Sequence, residues 1–105
     1  MRRELHFTSE AQRNLKALET TSSKAGVLKQ VRKVLGYLET NPRHPSLNTH
    51  KYDSLSGPGG EEVFEAYAQN DAPGAYRVFF MYGPDRKEGK KRLPGLTMIA
   101  ITSHP

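Results

Sequence analysis

The sequence contains no cysteine. This absence excludes disulfide bonds, thiolate chemistry and cysteine-based zinc sites together, and it suits a reducing compartment, so we expect a cytoplasmic protein. No apolar run approaches the roughly 20 residues that a membrane-spanning helix needs. Residues 1–7 also lack the apolar block of a signal peptide, so we expect no membrane partner and no targeting segment.

Several motifs that bind metals or phosphates are missing as well. The four histidines show no His-x-x-x-His spacing, and the carboxylates do not form an acidic metal-binding loop. The glycine-rich segment 57–60 lacks the lysine and the serine or threonine of a phosphate-binding loop, and no Gly-x-Ser-x-Gly motif occurs. We therefore predict a protein without a metal or a small-molecule cofactor.

The chain is short and basic. Its 105 residues amount to one domain, spanning residues 1–105, which can bury roughly 65% of its unfolded surface. Sixteen Lys and Arg against eleven Asp and Glu give a net charge of +5 and a pI near 9.6. This surplus favours a polyanion or an acidic protein as partner, although charge of this size also serves solubility alone.

Hydrophobic spacing divides the chain into a strand, two helices and three further strands. Ser9 followed by Gln12 has the form of a capping box, which predicts that the first helix begins there. A clearer apolar stripe at helical spacing predicts the second helix, which ends before Pro42. The strands are predicted at residues 3–7, 63–69, 75–82 and 96–102. The segments 42–60 and 83–92 are predicted to be long loops.

These elements predict an α+β fold in which a two-helix hairpin packs on one face of a mostly antiparallel sheet of about four strands. The segments 63–69 and 75–82 form the central hairpin, because five turn-forming residues separate them. Side chains alternate faces along a strand, so Arg77 lies opposite the apolar row that includes Val78 and Phe80. Arg77 is thus expected on an open face together with Glu65 and Tyr67.

These residue types could support RNA cleavage without a metal. Such cleavage uses a base for the 2′-hydroxyl proton, a cation for the charge on the phosphate and an acid for the leaving oxygen. A guanidinium can bind phosphate through two hydrogen bonds, and histidine can take either proton role near neutral pH. The candidate catalytic residues are Arg77, His104 and Glu65, and the candidate RNA or phosphate contacts are His44, His50, Lys51, Tyr67, Arg86, Lys90 and Lys91.

Each candidate also has an ordinary structural interpretation. In this interpretation Arg77 and Glu65 form a simple cross-strand ion pair, and Tyr67 is a packing residue with a solvated hydroxyl. His104, which is next to the last residue of the sequence, is then part of a frayed terminus. His50 and Lys51 are then plain polar loop residues. The functional interpretation therefore depends on these residues converging in space.

Three segments carry a resemblance to a known family. They are Asn-Pro-Arg-His-Pro-Ser-Leu at 41–47, Tyr-Arg-Val-Phe-Phe at 76–80 and Ile-Ala-Ile-Thr-Ser-His-Pro at 99–105, in the order strand, helix hairpin, three strands. Together they resemble the RelE/ParE superfamily of bacterial type II toxin–antitoxin toxins over nearly the whole chain. The most specific part is the central strand around Arg77.

The resemblance implies an activity as well as a fold. RelE-type members are mRNA interferases, ribosome-dependent endoribonucleases that inhibit growth and are held in check by a cognate antitoxin. The expected partners are therefore an antitoxin, the ribosome and mRNA. The resemblance assigns Arg77 to the scissile phosphate and His104 to general acid catalysis, whereas the role of Glu65 is inferred from its face and chemistry. Two alternatives stay open, a ParE-like gyrase poison without enzymatic activity and an inactive RelE-like binding module.

Overall fold

The computed structural model describes residues 2–69 and 74–103. Within these two ranges, two helices, seven strands and two 3₁₀ turns follow one another. The helices are α1 (Ser9–Thr20) and α2 (Ala25–Thr40), and the 3₁₀ turns are Ser22–Lys24 and Pro45–Leu47. The strands are β1 (Glu4–Phe7), β2 (His50–Ser56), β3 (Glu62–Tyr67), β4 (Tyr76–Tyr82), β5 (Arg86–Glu88), β6 (Lys91–Leu93) and β7 (Gly95–Ser103).

Five of the strands form one sheet in the order β1-β7-β4-β3-β2. The pair β1 and β7 is parallel, and the other three pairs are antiparallel. The predicted α+β class with a mostly antiparallel sheet is therefore confirmed. The sheet has one strand more than expected because β2 lies in the segment that we predicted to be a loop.

The helices cover one face of this sheet. Buried side chains of α1 and α2 pack against a row from β4 and β7, which includes Val78, Phe80 and Ile101. Alternation predicted the positions on β4 correctly. The pairing of β4 with β7 shifts its register between Phe79 and Phe80 of β4. Phe79 lies opposite Ala100 of β7, whereas Phe80 lies opposite Met98. This bulge places Met98 and Ile101 on the same buried face, which strict alternation along β7 does not predict.

The helix α1 begins at Ser9 as predicted, but its capping residue differs by one position from the predicted capping box. Thr8, not Ser9, is the N-cap, because its Oγ1 accepts a hydrogen bond from the backbone N–H of Ala11 at 3.1 Å. The same hydroxyl donates to the carbonyl of Ile99 at 2.8 Å, which ties the helix to β7. The predicted end of α2 is confirmed, since the helix stops at Thr40 with Asn41 as its C-cap.

The segment 83–92, predicted to be a flexible basic loop, instead contains β5 and most of β6, which pair as a hairpin. Arg86 Nη2 donates to Glu4 Oε2 at 2.7 Å, which holds the hairpin against β1 and lowers the pKa of the Glu4 carboxyl. The backbone N–H of Gly95 donates to Asp85 Oδ1 at 3.0 Å and lowers the pKa of that carboxyl, and Arg92 adds to the effect. Opposite charges therefore neutralise part of the basic run that suggested disorder.

No helix within residues 2–69 and 74–103 is long and apolar enough to cross a membrane.

Candidate active site

The sheet face away from the helices is more buried than the sequence predicted. Phe79 and Met81 of β4 are only 2% and 6% exposed there. Tyr52 on β2 packs against Phe79 with ring centroids 4.9 Å apart. The strand β2 therefore helps to cover a face that we expected to be open.

Glu65 and His50 are in contact on this face. Antiparallel pairing of β2 with β3 sets these two residues directly opposite each other. His50 Nε2 lies 2.7 Å from Glu65 Oε1, and the Glu65 side chain is 1% exposed whereas that of His50 is 49% exposed. The pair therefore joins a buried carboxylate to an imidazole that solvent can reach.

The second nitrogen of the His50 ring is also engaged. Nδ1 lies 3.1 Å from the carbonyl oxygen of Asn48, and a carbonyl can only accept a hydrogen bond, so Nδ1 carries a proton. Nε2 faces a carboxylate oxygen, which can accept a hydrogen bond from a protonated Nε2. The two ring nitrogens therefore contact one carbonyl oxygen and one carboxylate oxygen, both of which accept hydrogen bonds.

Sequence reasoning missed the contribution of Asn48. Its backbone has a positive φ of 47°, which is tolerated more readily by asparagine than by most residues. The signal was the position of an asparagine two residues before His50 in a segment rich in turn-forming residues.

Arg77 lies on the predicted face but is buried. Its side chain is 3% exposed, so the expectation of a guanidinium projecting freely into solvent is wrong. Nη1 donates to the carbonyl of Ala75 at 3.0 Å and is 3.3 Å from that of Tyr76. Nε is 4.0 Å from Glu65 Oε2, close enough for an ion pair and too far for a hydrogen bond. Backbone carbonyls and a carboxylate thus hold the guanidinium inside the protein.

Tyr67 links the two charged pairs. The Arg77 Cζ atom lies 4.0 Å from the centroid of the Tyr67 ring, a cation–π contact. The His50 ring meets the same ring edge to face, with centroids 5.5 Å apart. We call His50, Glu65, Tyr67 and Arg77 the buried charge cluster. The predicted convergence of Arg77, Glu65 and Tyr67 is therefore present, with His50 joining them.

Other predicted contacts lie outside this cluster. The His44 ring stacks on Tyr37 with centroids 4.1 Å apart, and its Nδ1 accepts from the backbone N–H of Ser46. Lys51 pairs with Glu62 at 3.2 Å, and the hydrogen bond to this carboxylate raises the pKa of Lys51. Both side chains therefore already have protein partners.

The basic residues of the hairpin are at the other edge of the sheet. Arg86 pairs with Glu4 of β1, whereas His50 belongs to β2, and these strands are the two edges of the sheet. Lys90 and Lys91 belong to the same hairpin and are exposed. These three residues therefore do not join the buried charge cluster. His104, the predicted general acid, lies outside the described residues.

Within residues 2–69 and 74–103, no three His, Cys, Asp or Glu side chains come close enough together to hold a metal ion.

Comparison with solved structures identifies the fold. The chain is similar to the YoeB dimer from Staphylococcus aureus, with a TM-score of 0.58, 12% sequence identity and coverage of 100% of both chains. It is also similar to a copper-bound mutant toxin from Helicobacter pylori, with a TM-score of 0.53, 19% identity and coverage of 99% of this chain and 96% of that one. No protein-family model and no curated protein matches the sequence.

These similarities define a fold class. The chain shares the fold of these two proteins, so the fold that the resemblance implies is confirmed. Sequence identities of 12% and 19% leave the chemistry to be argued from the residues of this chain.

Proposed function

We propose that this protein is the toxin of a type II toxin–antitoxin system and that it cleaves ribosome-bound mRNA without a metal ion. Three observations support the proposal. The fold is shared with a Helicobacter pylori toxin, the net charge of +5 suits an RNA substrate, and the buried charge cluster brings proton-transfer groups together with a fixed cation. Growth inhibition in the bacterial cytoplasm and restraint by a cognate antitoxin are part of the proposal.

The observation that carries the proposal is the pairing of exposed His50 with buried Glu65. Glu65 is 1% exposed and does not reach bulk solvent, whereas His50 is half exposed and does. We assign His50 as the group that transfers a proton to or from RNA, and Glu65 as the carboxylate that fixes the ring. Such a pair resembles the orientation of a catalytic histidine by a buried carboxylate in other hydrolytic enzymes.

Arg77 supplies positive charge at the same place. A fixed cation in a poorly solvated environment interacts more strongly with a developing negative charge than it would in water. With His50 protonated, the cluster contains two cations and one carboxylate. This excess of positive charge would stabilise the charge that builds up on the phosphate as the 2′-oxygen attacks it. Arg77 acts here through its field while it remains buried.

The reaction also needs a second proton-transfer group. When the 2′-oxygen attacks phosphorus, the bond to the 5′-oxygen breaks, and one group removes a proton while another donates one. His50 is one of these groups, and His104 remains the candidate for the other because of the family resemblance. Single substitutions at the two histidines would separate their contributions.

One observation favours the alternative of a gyrase poison without enzymatic activity. Arg77 is 3% exposed at its side chain, whereas a guanidinium that grips a phosphate directly must reach its ligand. In a protein that only binds its target, the cluster would be a structural ion pair. DNA damage on induction without breaks in mRNA would support this second function.

Induction in bacteria followed by mapping of transcript ends tests the proposal. The wild-type chain is expected to arrest growth and to produce new mRNA ends. His50→Gln removes the proton-transfer group at the half-exposed end of the cluster and is expected to lower cleavage by about 10²–10⁴-fold. His6→Gln is the matched control, because His6 belongs to β1 at the opposite edge of the sheet, and it should leave cleavage unchanged. Growth arrest with intact mRNA would refute the ribonuclease function.

A further inference from the structure

A polar cleft adjoins the buried charge cluster. It has a volume of about 490 Å³ and lies between α2, the 3₁₀ turn Pro45–Leu47 and the end of β3. This volume is within the range of small-molecule binding sites, roughly 300–1,000 Å³. We call it the α2–β3 cleft, and the lining residues used below are Gln30, Lys33, Tyr37, Asn48, Tyr67 and Gln69.

The periodicity of α2 builds one wall of the cleft. Gln30, Lys33, Val34 and Tyr37 are spaced i, i+3, i+4 and i+7, so they share one side of the helix. Val34 is 4% exposed and packs into the core, while Gln30 and Lys33 are exposed. Lys33 was not among the candidate residues of the sequence analysis, but the structure places it on this wall.

The lining has the chemistry of a nucleotide site. Lys33 offers a positive charge, and no carboxylate belongs to the lining within the described part of the chain. Gln30 and Asn48 have side-chain amides, which offer both donors and acceptors to the edge of a base. Gln69 adds amide N–H donors, while its Oε1 accepts a hydrogen bond from the backbone N–H of Tyr76 at 2.8 Å. Tyr37 and Tyr67 provide aromatic rings, the groups on which unpaired bases stack.

The tyrosine rings are held in position by other side chains. His44 stacks on Tyr37, with an angle of 24° between the ring planes. Arg77 lies over Tyr67, with Cζ 4.0 Å from the ring centroid. Rings fixed in this way lose little side-chain entropy when a ligand packs beside them.

Two residues connect the cleft to the buried charge cluster. Tyr67 lines the cleft and also belongs to the cluster. Asn48 lines the cleft and accepts the hydrogen bond from Nδ1 of His50 through its carbonyl. A ligand in the cleft would therefore lie beside the imidazole that we assign to proton transfer.

We propose that the α2–β3 cleft is a subsite for one unpaired nucleotide of the RNA, next to the phosphate that is cut. Lys33 contacts a phosphate of this nucleotide, and the amides and tyrosine rings contact its base. The inference rests on the proposed ribonuclease function, because that function identifies RNA as the ligand. It adds the α2 residues Gln30 and Lys33, which had no assigned role.

Binding of mononucleotides tests the subsite without any need for cleavage. The ¹⁵N-labelled full chain would be titrated with each of the four nucleoside 3′-monophosphates while amide shifts are followed by NMR. We expect the largest changes at Gln30, Lys33, Asn48 and Gln69. Inorganic phosphate at equal ionic strength should not produce most of these shift changes. If phosphate alone reproduces them, the cleft binds only anions and the nucleotide subsite is refuted.

Matched lysine variants locate the charge contribution. Lys33→Ala should weaken mononucleotide binding by about tenfold, the loss expected for one hydrogen bond to a charged group. Lys16→Ala removes the same charge from an exposed position on α1 that does not line the cleft, so binding should not change. Equal loss in both variants would overturn the assignment of Lys33.

The outcomes of this experiment and of transcript mapping are separable. Shifts confined to other surfaces would refute the subsite even if mRNA is cut. Shifts in the cleft together with intact mRNA would keep the binding site and refute the nuclease.

Discussion

Removal of the buried guanidinium tests how strongly the charge cluster depends on Arg77. In the wild-type chain Glu65 is 1% exposed, and Arg77→Ala removes the cation 4.0 Å from its Oε2 atom. Loss of one partner of a buried pair costs about 3–5 kcal/mol, because the remaining charge is left poorly solvated. His50 still lies 2.7 Å from Oε1 of Glu65, so we expect the lower end, about 3 kcal/mol.

This cost is large for a domain of this size. Single domains unfold with about 5–15 kcal/mol, so about 3 kcal/mol is a fifth or more of the total. With an m-value of about 2 kcal/mol/M in urea, the unfolding midpoint should fall by about 1.5 M. Urea unfolding followed by circular dichroism measures this shift directly.

A matched arginine variant and a double substitution complete the test. Arg32→Ala removes an exposed arginine that pairs with Glu19 at 3.4 Å, and it should cost less than about 1 kcal/mol. Arg77→Met combined with Glu65→Leu replaces both charges with apolar groups and should recover most of the stability. An Arg77→Ala cost no larger than that of Arg32→Ala would refute the view that Arg77 is a poorly solvated cation. Loss of toxicity in Arg77→Ala also follows if the variant unfolds, so toxicity and stability are measured on the same variant.

Two further predictions concern the fold. Thr8→Ala should lower the free energy of unfolding by about 1 kcal/mol, because α1 loses its cap. Ser9→Ala should leave the free energy of unfolding nearly unchanged. Equal effects of the two variants in urea unfolding would contradict the Thr8 cap. The lowered pKa values of Glu4 and Asp85 imply that their contribution to stability is present above about pH 4.5 and is lost as the pH falls through the folded-state values. The urea midpoint should therefore drop between pH 6 and pH 3, and the drop should be smaller in Asp85→Asn; an equal drop in this variant would contradict the role of Asp85.

The sequence predicted the elements whose signals are local. The apolar stripe of α2 and the alternation on β4 follow from periodicity, and both are present in the structure. The N-cap of α1 was off by one residue because Thr8 and Ser9 both have the right side chain. Thr8 takes the role since its hydroxyl also reaches the carbonyl of Ile99, a contact 91 residues away in sequence.

The missed strands have weak local signals. Residues of β2 are mostly exposed and polar, so the strand shows no apolar alternation, and it exists because β3 offers an edge for pairing. The short strands β5 and β6 were hidden by their basic composition. Their hairpin is held to the rest of the fold by Arg86 and Glu4, which are 82 residues apart.

The candidate site was predicted only in part, because local signals place side chains on a face of a strand but do not show which strand pairs beside it. Strand parity correctly placed Glu65, Tyr67 and Arg77 on one face, because parity depends only on neighbours in sequence. Glu65 and Arg77 are buried, and His50 of the unpredicted strand β2 lies against Glu65, so the predicted open face is wrong. His50 joins the cluster through the register of β2 against β3, and no property of residue 50 alone indicates this pairing.

The buried charges themselves bear on the choice between a nuclease and a binding protein. A buried ion pair often contributes less to stability than well-packed apolar residues of similar volume, so Glu65 and Arg77 are not explained by stability alone. Costly internal charges concentrate at functional sites, and this pair meets a half-exposed histidine beside a polar cleft. The double variant with Arg77→Met and Glu65→Leu therefore separates the two functions. A folded variant that no longer cuts mRNA would indicate catalysis, whereas a folded variant that still arrests growth would indicate that the cluster serves only the fold.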